Sequence, residues 1–258
     1  VFSNLMDNAI RAEENLPEDW NLILVNKTHP IPEDYQVELK SIGSGHQIDA
    51  RAYDDFKAMI QASKKDGVTI YVSSSYRDMN KQITLYEKKT DSYLQQGYSL
   101  EDALSKAGQV VAVPGTSEHH LGLAIDVVSS EYRKLDEKQE NTKGFQWMKE
   151  HSWEYGFILR YPNGSTDITG IIYEPWHFRY VGLEAAKEIY ERDITLEEYL
   201  GARPVSEGEA VTYDYKPEKK QKQKHEAPVT NEESVPEEAP AINETLMPEE
   251  TQAAGEGL

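Results

Sequence analysis

The chain contains no cysteine among its 258 residues. Disulfides and zinc sites built on thiolates are therefore excluded, so any metal ligands must come from His, Asp or Glu. Basic residues are also scarce, with 27 Lys and Arg against 46 Asp and Glu, which gives a net charge of -19. Because binding to a phosphate backbone needs clusters of Lys and Arg, this balance argues against nucleic acid as a partner.

Long apolar runs are absent too, since no stretch reaches the roughly 18 residues that a membrane-spanning helix needs. Composition instead divides the chain into three parts. Residues 1–18 are polar and helix-prone and are interpreted as an N-terminal spacer, and residues 19–203 carry the apolar periodicity of one folded domain. Residues 204–258 are rich in Pro and Glu and are predicted to form a disordered acidic tail, because so polar a segment cannot bury enough apolar surface to offset ordering.

Hydrophobic spacing within 19–203 alternates between the periods of helices and of strands. Helices are predicted over 49–65, 78–96, 144–154, 183–190 and 196–200, with a further short helix beginning at Ser99. Strands are predicted over 68–72, 123–128, 156–161 and 171–181, and residues 22–25 fit either a short strand or an extended arm.

Two short segments about fifty residues apart concentrate the candidate chemistry. The segment from Ser117 to Asp126 and the segment from Glu174 to His177 together offer two imidazoles, one carboxylate ligand and one spare carboxylate. Three protein ligands, an open position for water and a base beside it are what a catalytic zinc needs. The alternative is an exposed loop histidine, a strand-end Asp and a half-buried histidine without any metal.

A third candidate is Arg77, which follows the predicted strand 68–72 and a run of serines. A guanidinium at a strand end could bind a substrate carboxylate through two hydrogen bonds. It could equally form a surface ion pair with Asp78 or Glu87, and the sequence leaves both options open.

Taken in order, these motifs resemble the VanY-type zinc D,D-carboxypeptidase family and the related L,D-carboxypeptidases of bacterial cell walls. The pattern Ser-x-His-x-x-Gly-x-Ala-x-Asp is met at Ser117, His119, Gly122, Ala124 and Asp126, and Glu-x-x-His is met at Glu174 and His177. An upstream Ser-x-Tyr-Arg-x-x-x-x-Gln is met at Ser74 or Ser75, Tyr76, Arg77 and Gln82.

The resemblance implies a site and a fold. It makes His119, Asp126 and His177 the ligands of one Zn²⁺ per chain and Glu174 the catalytic base. It places Arg77, Gln82, Ser117 and Trp176 at the substrate pocket. The implied fold is an α+β domain with a small antiparallel sheet flanked by helices, the zinc D,D-peptidase (hedgehog-like) fold.

The resemblance also implies an activity, namely removal of the C-terminal D-Ala from peptidoglycan stem peptides, or their lipid-linked precursors, that end in D-Ala-D-Ala. The alternatives are L,D-cleavage of tetrapeptide stems, a D-Ala-D-Ala dipeptidase and a wall-peptide binding module without catalysis. The chain begins with Val1, and we expect a monomer on the extracellular face of the envelope, exported or anchored through a segment missing from this chain.

Overall fold

The computed structural model of the chain describes residues 19–216. The predicted spacer, 1–18, and the stretch 217–258 of the predicted tail lie outside the described residues. The six strands of the described range are β1 (Leu39–Gly43), β2 (His46–Asp49), β3 (Ile70–Ser74), β4 (Ala124–Ser129), β5 (Phe157–Leu159) and β6 (His177–Tyr180). The α-helices in this range are α1 (Tyr53–Lys65), α2 (Met79–Gln95), α3 (Leu100–Gly108), α4 (Lys143–His151), α5 (Thr166–Thr169), α6 (Leu183–Arg192) and α7 (Leu196–Tyr199).

The strands form one antiparallel hairpin, β1–β2, and one four-stranded antiparallel sheet in the order β3-β4-β6-β5. The predicted α+β class with a small antiparallel sheet flanked by helices is therefore confirmed. Side-chain oxygens of Asp78 and Ser99 cap α2 and α3.

The sheet separates an apolar face from a polar one because side chains alternate along each strand. Ile125 and Phe178 pair across β4 and β6 and lie in the main hydrophobic core. Phe56 and Met59 of α1 and Met148 of α4 join the same core. The opposite face of β4 and β6 carries Asp126, His177 and Arg179, so the register of two central strands aligns polar groups on one side.

One predicted strand needs correction, and the two options for residues 22–25 can be compared with the structure. Only His177–Tyr180 of the predicted strand 171–181 is a strand. Gly170 ends α5 in a left-handed conformation, and the amide of His177 donates to the carbonyl of Glu174 in a turn that precedes β6. Of the two options for residues 22–25, the structure excludes the strand, because a 3₁₀ helix over Trp20–Leu22 leads into irregular backbone.

The described chain also continues past the predicted end of the domain at residue 203. Val205 is buried, the amide of Val211 donates to the carbonyl of Lys27, and Tyr213 packs edge-on against Tyr86 of α2 with ring centroids 5.6 Å apart. Tyr215 is buried and donates to Asp91. Residues 205–215 therefore lie on the folded domain, so a tail that starts at 204 begins too early.

Candidate metal and catalytic site

The register of the sheet brings the predicted metal ligands together. Asp126 of β4 lies directly opposite His177 of β6, and on its other side it lies opposite Ser74 of β3. His119 belongs to a 3₁₀ helix, Glu118–Leu121, that leads into β4. The chain must turn sharply between this helix and the strand, and Gly122 makes the turn.

Gly122 suits this turn because its φ is +71°, in the left-handed region where side chains are strained. A Cβ at this position would lie 3.0 Å from the backbone nitrogen of Asp49, which donates to the Gly122 carbonyl. The glycine of the motif is therefore explained by local backbone geometry, which sets where His119 stands relative to Asp126.

His119, Asp126 and His177 form the group within residues 19–216 that could hold a metal ion, called here the metal-ligating group, with one ligand atom from each within 4.8 Å of the others. Nε2 of His119 lies 3.3 Å from Oδ2 of Asp126, and Nδ1 of His177 lies 3.0 Å from Oδ1. Zinc bonds of about 2.0–2.1 Å place tetrahedral ligands about 3.3 Å apart. The spacing, the burial and the donor set therefore fit a zinc ion.

The two histidines face the group through different ring nitrogens. Nδ1 of His119 lies 2.7 Å from the carbonyl oxygen of Ser75. Because a carbonyl only accepts, that nitrogen carries the proton and leaves Nε2 free to bind a metal. In His177 the order is reversed, since Nδ1 faces Asp126 while Nε2 lies 3.5 Å from Oε2 of Glu118.

Burial and neighbouring charges shift the pKa values of all three groups. Burial, with the nearby Arg77, lowers the pKa of His119 to about 4. Burial alone would lower the pKa of His177, but the neighbouring carboxylates of Asp126 and Glu118 raise it to about 9. Burial alone would raise the pKa of Asp126, yet the two histidines hold it well below its usual range. Asp126 is thus ionised, as a metal ligand must be.

Glu174 lies beside this group without belonging to it. Its Oε2 is 3.7 Å from Nδ1 of His177, and its side chain lines the same cavity. Burial raises the pKa of Glu174 to about 8, and Asp126 adds to the effect. A carboxylate with a raised pKa beside a metal site is placed and tuned to exchange protons near neutral pH.

Arg77 is held at the site by its own neighbours. Its guanidinium donates to Oε1 of Gln82 at 2.8 Å and to Oγ of Ser74 at 2.9 Å, and it lies 3.6 Å from Asp126. The side chain is 13% exposed. The surface ion pair with Asp78 or Glu87 is therefore wrong, and Ser74 is the serine that holds the arginine.

The predicted substrate-binding residues occupy different positions around a cavity of about 580 Å³. Arg77, Ser117 and Trp176 lie on its wall with the metal-ligating group, as predicted. Gln82 does not, because it is fully buried behind Arg77 and donates to the carbonyl of Ala112 at 2.6 Å. Further residues line the cavity; they are Leu85, Lys88, Lys89, Ser92, Val110, Val111, Ala112, Leu135, Tyr161 and Ile171.

The family described as VanY, D-alanyl-D-alanine carboxypeptidase, matches residues 45–183, which contain all eight predicted site residues. The chain belongs to the VanY family.

Relatives within and near the VanY family agree in sequence and in fold. A D-alanyl-D-alanine carboxypeptidase of Enterococcus faecalis is 42% identical over 202 residues, which are 78% of this chain and 74% of the relative.

Two solved structures, each 43% identical to this chain, match 70% of it. One is a variant of the D,D-pentapeptidase VanY from a VanB-type resistance cassette with Zn(II), with a TM-score of 0.64 and 99% of that chain covered. The other is VanYB with D-alanine-D-alanine, with a TM-score of 0.65 and 98% covered. The L,D-carboxypeptidase LdcB is 35% identical, with a TM-score of 0.60 and coverage of 73% and 89%.

Four buried charges beside this VanY-type site were missed by the sequence analysis. Glu118 accepts from Nε of Arg160 at 2.7 Å and from Nη1 of Arg179 at 2.8 Å. Arg160 also donates to both oxygens of Glu197, at 2.7 and 2.8 Å. The apolar stretches 157–161 and 177–181 each contain an arginine, and an arginine in a buried strand needs an acidic partner. Nothing in the sequence indicated which residues those partners are.

Proposed function

We propose that this chain is a zinc-dependent D,D-carboxypeptidase that removes the C-terminal D-Ala from peptidoglycan stem peptides ending in D-Ala-D-Ala. The observation that carries the proposal is the buried His119–Asp126–His177 group, which shares one cavity with Glu174 and Arg77. One Zn²⁺ per chain is the cofactor, and VanY-family structures with Zn(II) and with D-alanine-D-alanine support both the metal and the substrate class.

The chain's own residues divide the work of hydrolysis. Zinc, when bound, supplies a Lewis acid that polarises a carbonyl and acidifies water. Glu174, which lines the same cavity as the proposed ligands, takes the proton from the attacking water and delivers it to the leaving amine. Arg77 holds the terminal carboxylate of the substrate or stabilises the developing oxyanion. Holding a terminal carboxylate would explain why a single C-terminal residue is removed.

The cavity also fits a peptide longer than the two residues at the cleavage point. Its volume of about 580 Å³ lies in the usual range for ligand pockets, roughly 300–1,000 Å³. Lys88 and Lys89 line the cavity. These ammonium groups provide positive charge for the carboxylates of a stem peptide, which favours a wall peptide over free D-Ala-D-Ala.

L,D-carboxypeptidase activity on tetrapeptide stems is the second candidate. It is favoured by the similarity to LdcB, at 35% identity and a TM-score of 0.60. The higher identity of 43% to VanYB places the D,D-activity first. A binding module without catalysis would have no use for Glu174 buried in the cavity.

We further propose that the protein acts as a monomer, without nucleic acid, on the extracellular face of the cell envelope. The net charge of -19 disfavours phosphate backbones. Among residues 19–216, no helix has the length and apolar character required to cross a bilayer.

The test is a substrate comparison with one preparation of zinc-loaded protein. Muramyl pentapeptide, the matching tetrapeptide and free D-Ala-D-Ala are supplied at equal concentration, and released D-Ala is measured over time. The proposal predicts the highest kcat/KM on the pentapeptide. Preference for the tetrapeptide would establish the L,D-activity instead, and preference for the free dipeptide would identify a dipeptidase.

A further inference from the structure

Glu118 lies behind the metal-ligating group, and the proposed mechanism gives it no task. Its side chain is 0% exposed, as are those of Arg160 and Arg179. Both guanidiniums donate to the same carboxylate oxygen, Oε1. The other oxygen, Oε2, has no hydrogen-bond partner within the described residues and faces Nε2 of His177 at 3.5 Å.

Nε2 of His177 is in the same situation. It is buried and makes no hydrogen bond of standard length within residues 19–216. A distance of 3.5 Å is slightly longer than an ordinary N–H···O bond, so a shift of a few tenths of an ångström would form one. Two buried polar atoms that face each other and lack other partners are complementary, because one can donate and the other only accepts.

We infer that Glu118 is a positioning residue that holds the proton of His177 on Nε2 and so keeps Nδ1 free to bind the metal. A carboxylate that accepts from a ligating histidine fixes its tautomer and ring orientation and raises its basicity. The two arginines fix Glu118 in turn by occupying its first oxygen, which leaves only Oε2 for the histidine. The inference rests on the ligand set of the proposed function.

The arginines make Glu118→Gln an informative variant. Guanidiniums only donate, so the amide oxygen of the new Gln must face Arg160 and Arg179. Its NH₂ group must then face His177, where Nε2 would have to accept a hydrogen bond. The favoured tautomer moves the proton to Nδ1, the nitrogen that faces the metal group. Loss of one carboxylate should thus weaken metal binding, although Glu118 is not a ligand.

Glu197→Gln provides the matched control. Glu197 belongs to the same network through Arg160 and also accepts from Asn26 at 2.9 Å, but it does not contact His177. Each variant removes one buried negative charge from the network, so both should lower the melting temperature. Only Glu118→Gln should change the tautomer of the ligating histidine.

The experiment measures zinc affinity of the wild type and both variants by competition with a chelator, below their melting temperatures. The expected result is a 10–100-fold weaker affinity for Glu118→Gln, in line with other outer carboxylates, and a change of less than about threefold for Glu197→Gln. Equal affinities in the two variants would overturn the inference while leaving the ligand set in place. Failure of the wild type to bind zinc would overturn both.

A second measurement needs no variant and remains decisive if Glu118→Gln does not fold. Long-range ¹⁵N–¹H spectra of the zinc-loaded wild type, labelled at histidine, identify which ring nitrogen carries the proton. The expected result is one ligating imidazole protonated at Nδ1, for His119, and one protonated at Nε2, for His177. Two ligating imidazoles both protonated at Nδ1 would overturn the inference.

Discussion

Two clusters of buried polar side chains lie next to each other on the sheet, and they differ in how their hydrogen bonds are satisfied. In the paired cluster, Glu118 and Glu197 meet Arg160 and Arg179 at 2.7–2.8 Å, and two negative charges balance two positive ones. In the open cluster, the three metal-ligating side chains converge on one another and line the cavity.

The two clusters therefore have different roles: the paired cluster stabilises the fold, and the open cluster serves the function. Burying a charge is tolerated when hydrogen-bonded partners compensate it, and the paired cluster meets that condition within the chain itself. The open cluster places three potential ligand atoms within 4.8 Å of one another, so its buried charge is compensated when a cation binds between them. His177 belongs to the open cluster and touches the paired one through Glu118. The open cluster is therefore positioned by the paired cluster.

The largest expected effect comes from Glu174→Gln, which removes the proposed base but none of the proposed ligands. We expect zinc content to stay at one per chain, while kcat falls by about 10²–10⁴ because proton transfer is lost. Elemental analysis and turnover of a muramyl pentapeptide give the two values on one sample. If zinc were lost together with activity, Glu174 would be a metal ligand, and its assignment as a base distinct from the ligands would be wrong.

Arg160→Met tests the paired cluster. The substitution leaves Glu118 and Glu197 buried with fewer partners, and breaking a buried ion pair costs about 3–5 kcal/mol. Urea denaturation should show a loss of that size in the free energy of unfolding. A variant as stable as the wild type would mean that the paired cluster does not stabilise the fold.

Arg77 sharpens the comparison, since it is a partly buried charge beside Asp126 of the open cluster. Arg77→Lys and Arg77→Ala should lower kcat/KM on a pentapeptide by about 10–150-fold, equivalent to the roughly 1.5–3 kcal/mol of a charge-assisted hydrogen bond. Lysine should not restore activity because an ammonium lacks the planar fork of the guanidinium. A fall in kcat at constant KM would favour oxyanion stabilisation over carboxylate binding. Changes below twofold in both variants would remove Arg77 from the site.

Truncation of the C-terminal region should have the smallest effect, and the cut position decides its size. Ending the chain after 216 should leave the melting temperature and the activity unchanged, because the composition of 217–258 cannot supply a core. Ending it after 204 removes Val205 and Tyr215, both buried, and should cost at least about 1.5 kcal/mol. Equal melting temperatures for the two truncations would restore the predicted boundary near 203.

The sequence predicted the open cluster better than the paired one, for a physical reason. His119 and Asp126 lie seven residues apart and Glu174 and His177 three apart, so short-range spacing carried much of the signal. The paired cluster joins residues 118, 160, 179 and 197, whose proximity depends on sheet register and on where α7 packs. No local pattern encodes those pairings.

Local backbone chemistry explains the main error in the fold. The apolar character of 171–181 predicted a single strand, but only four residues pair in the sheet. Pro175 lacks an amide proton and cannot take a central position in a strand. The turn before His177 instead lets Glu174 and His177 face the same cavity, whereas a continuous strand would have pointed them to opposite faces.

The most direct test of the central claim is the zinc content and turnover of wild type and His177→Ala, measured side by side on a muramyl pentapeptide. We predict one zinc per wild-type chain, release of D-Ala that stops on chelation and returns on adding zinc, and neither bound zinc nor turnover in His177→Ala. Full activity of His177→Ala, or of wild-type protein stripped of zinc, would contradict the account.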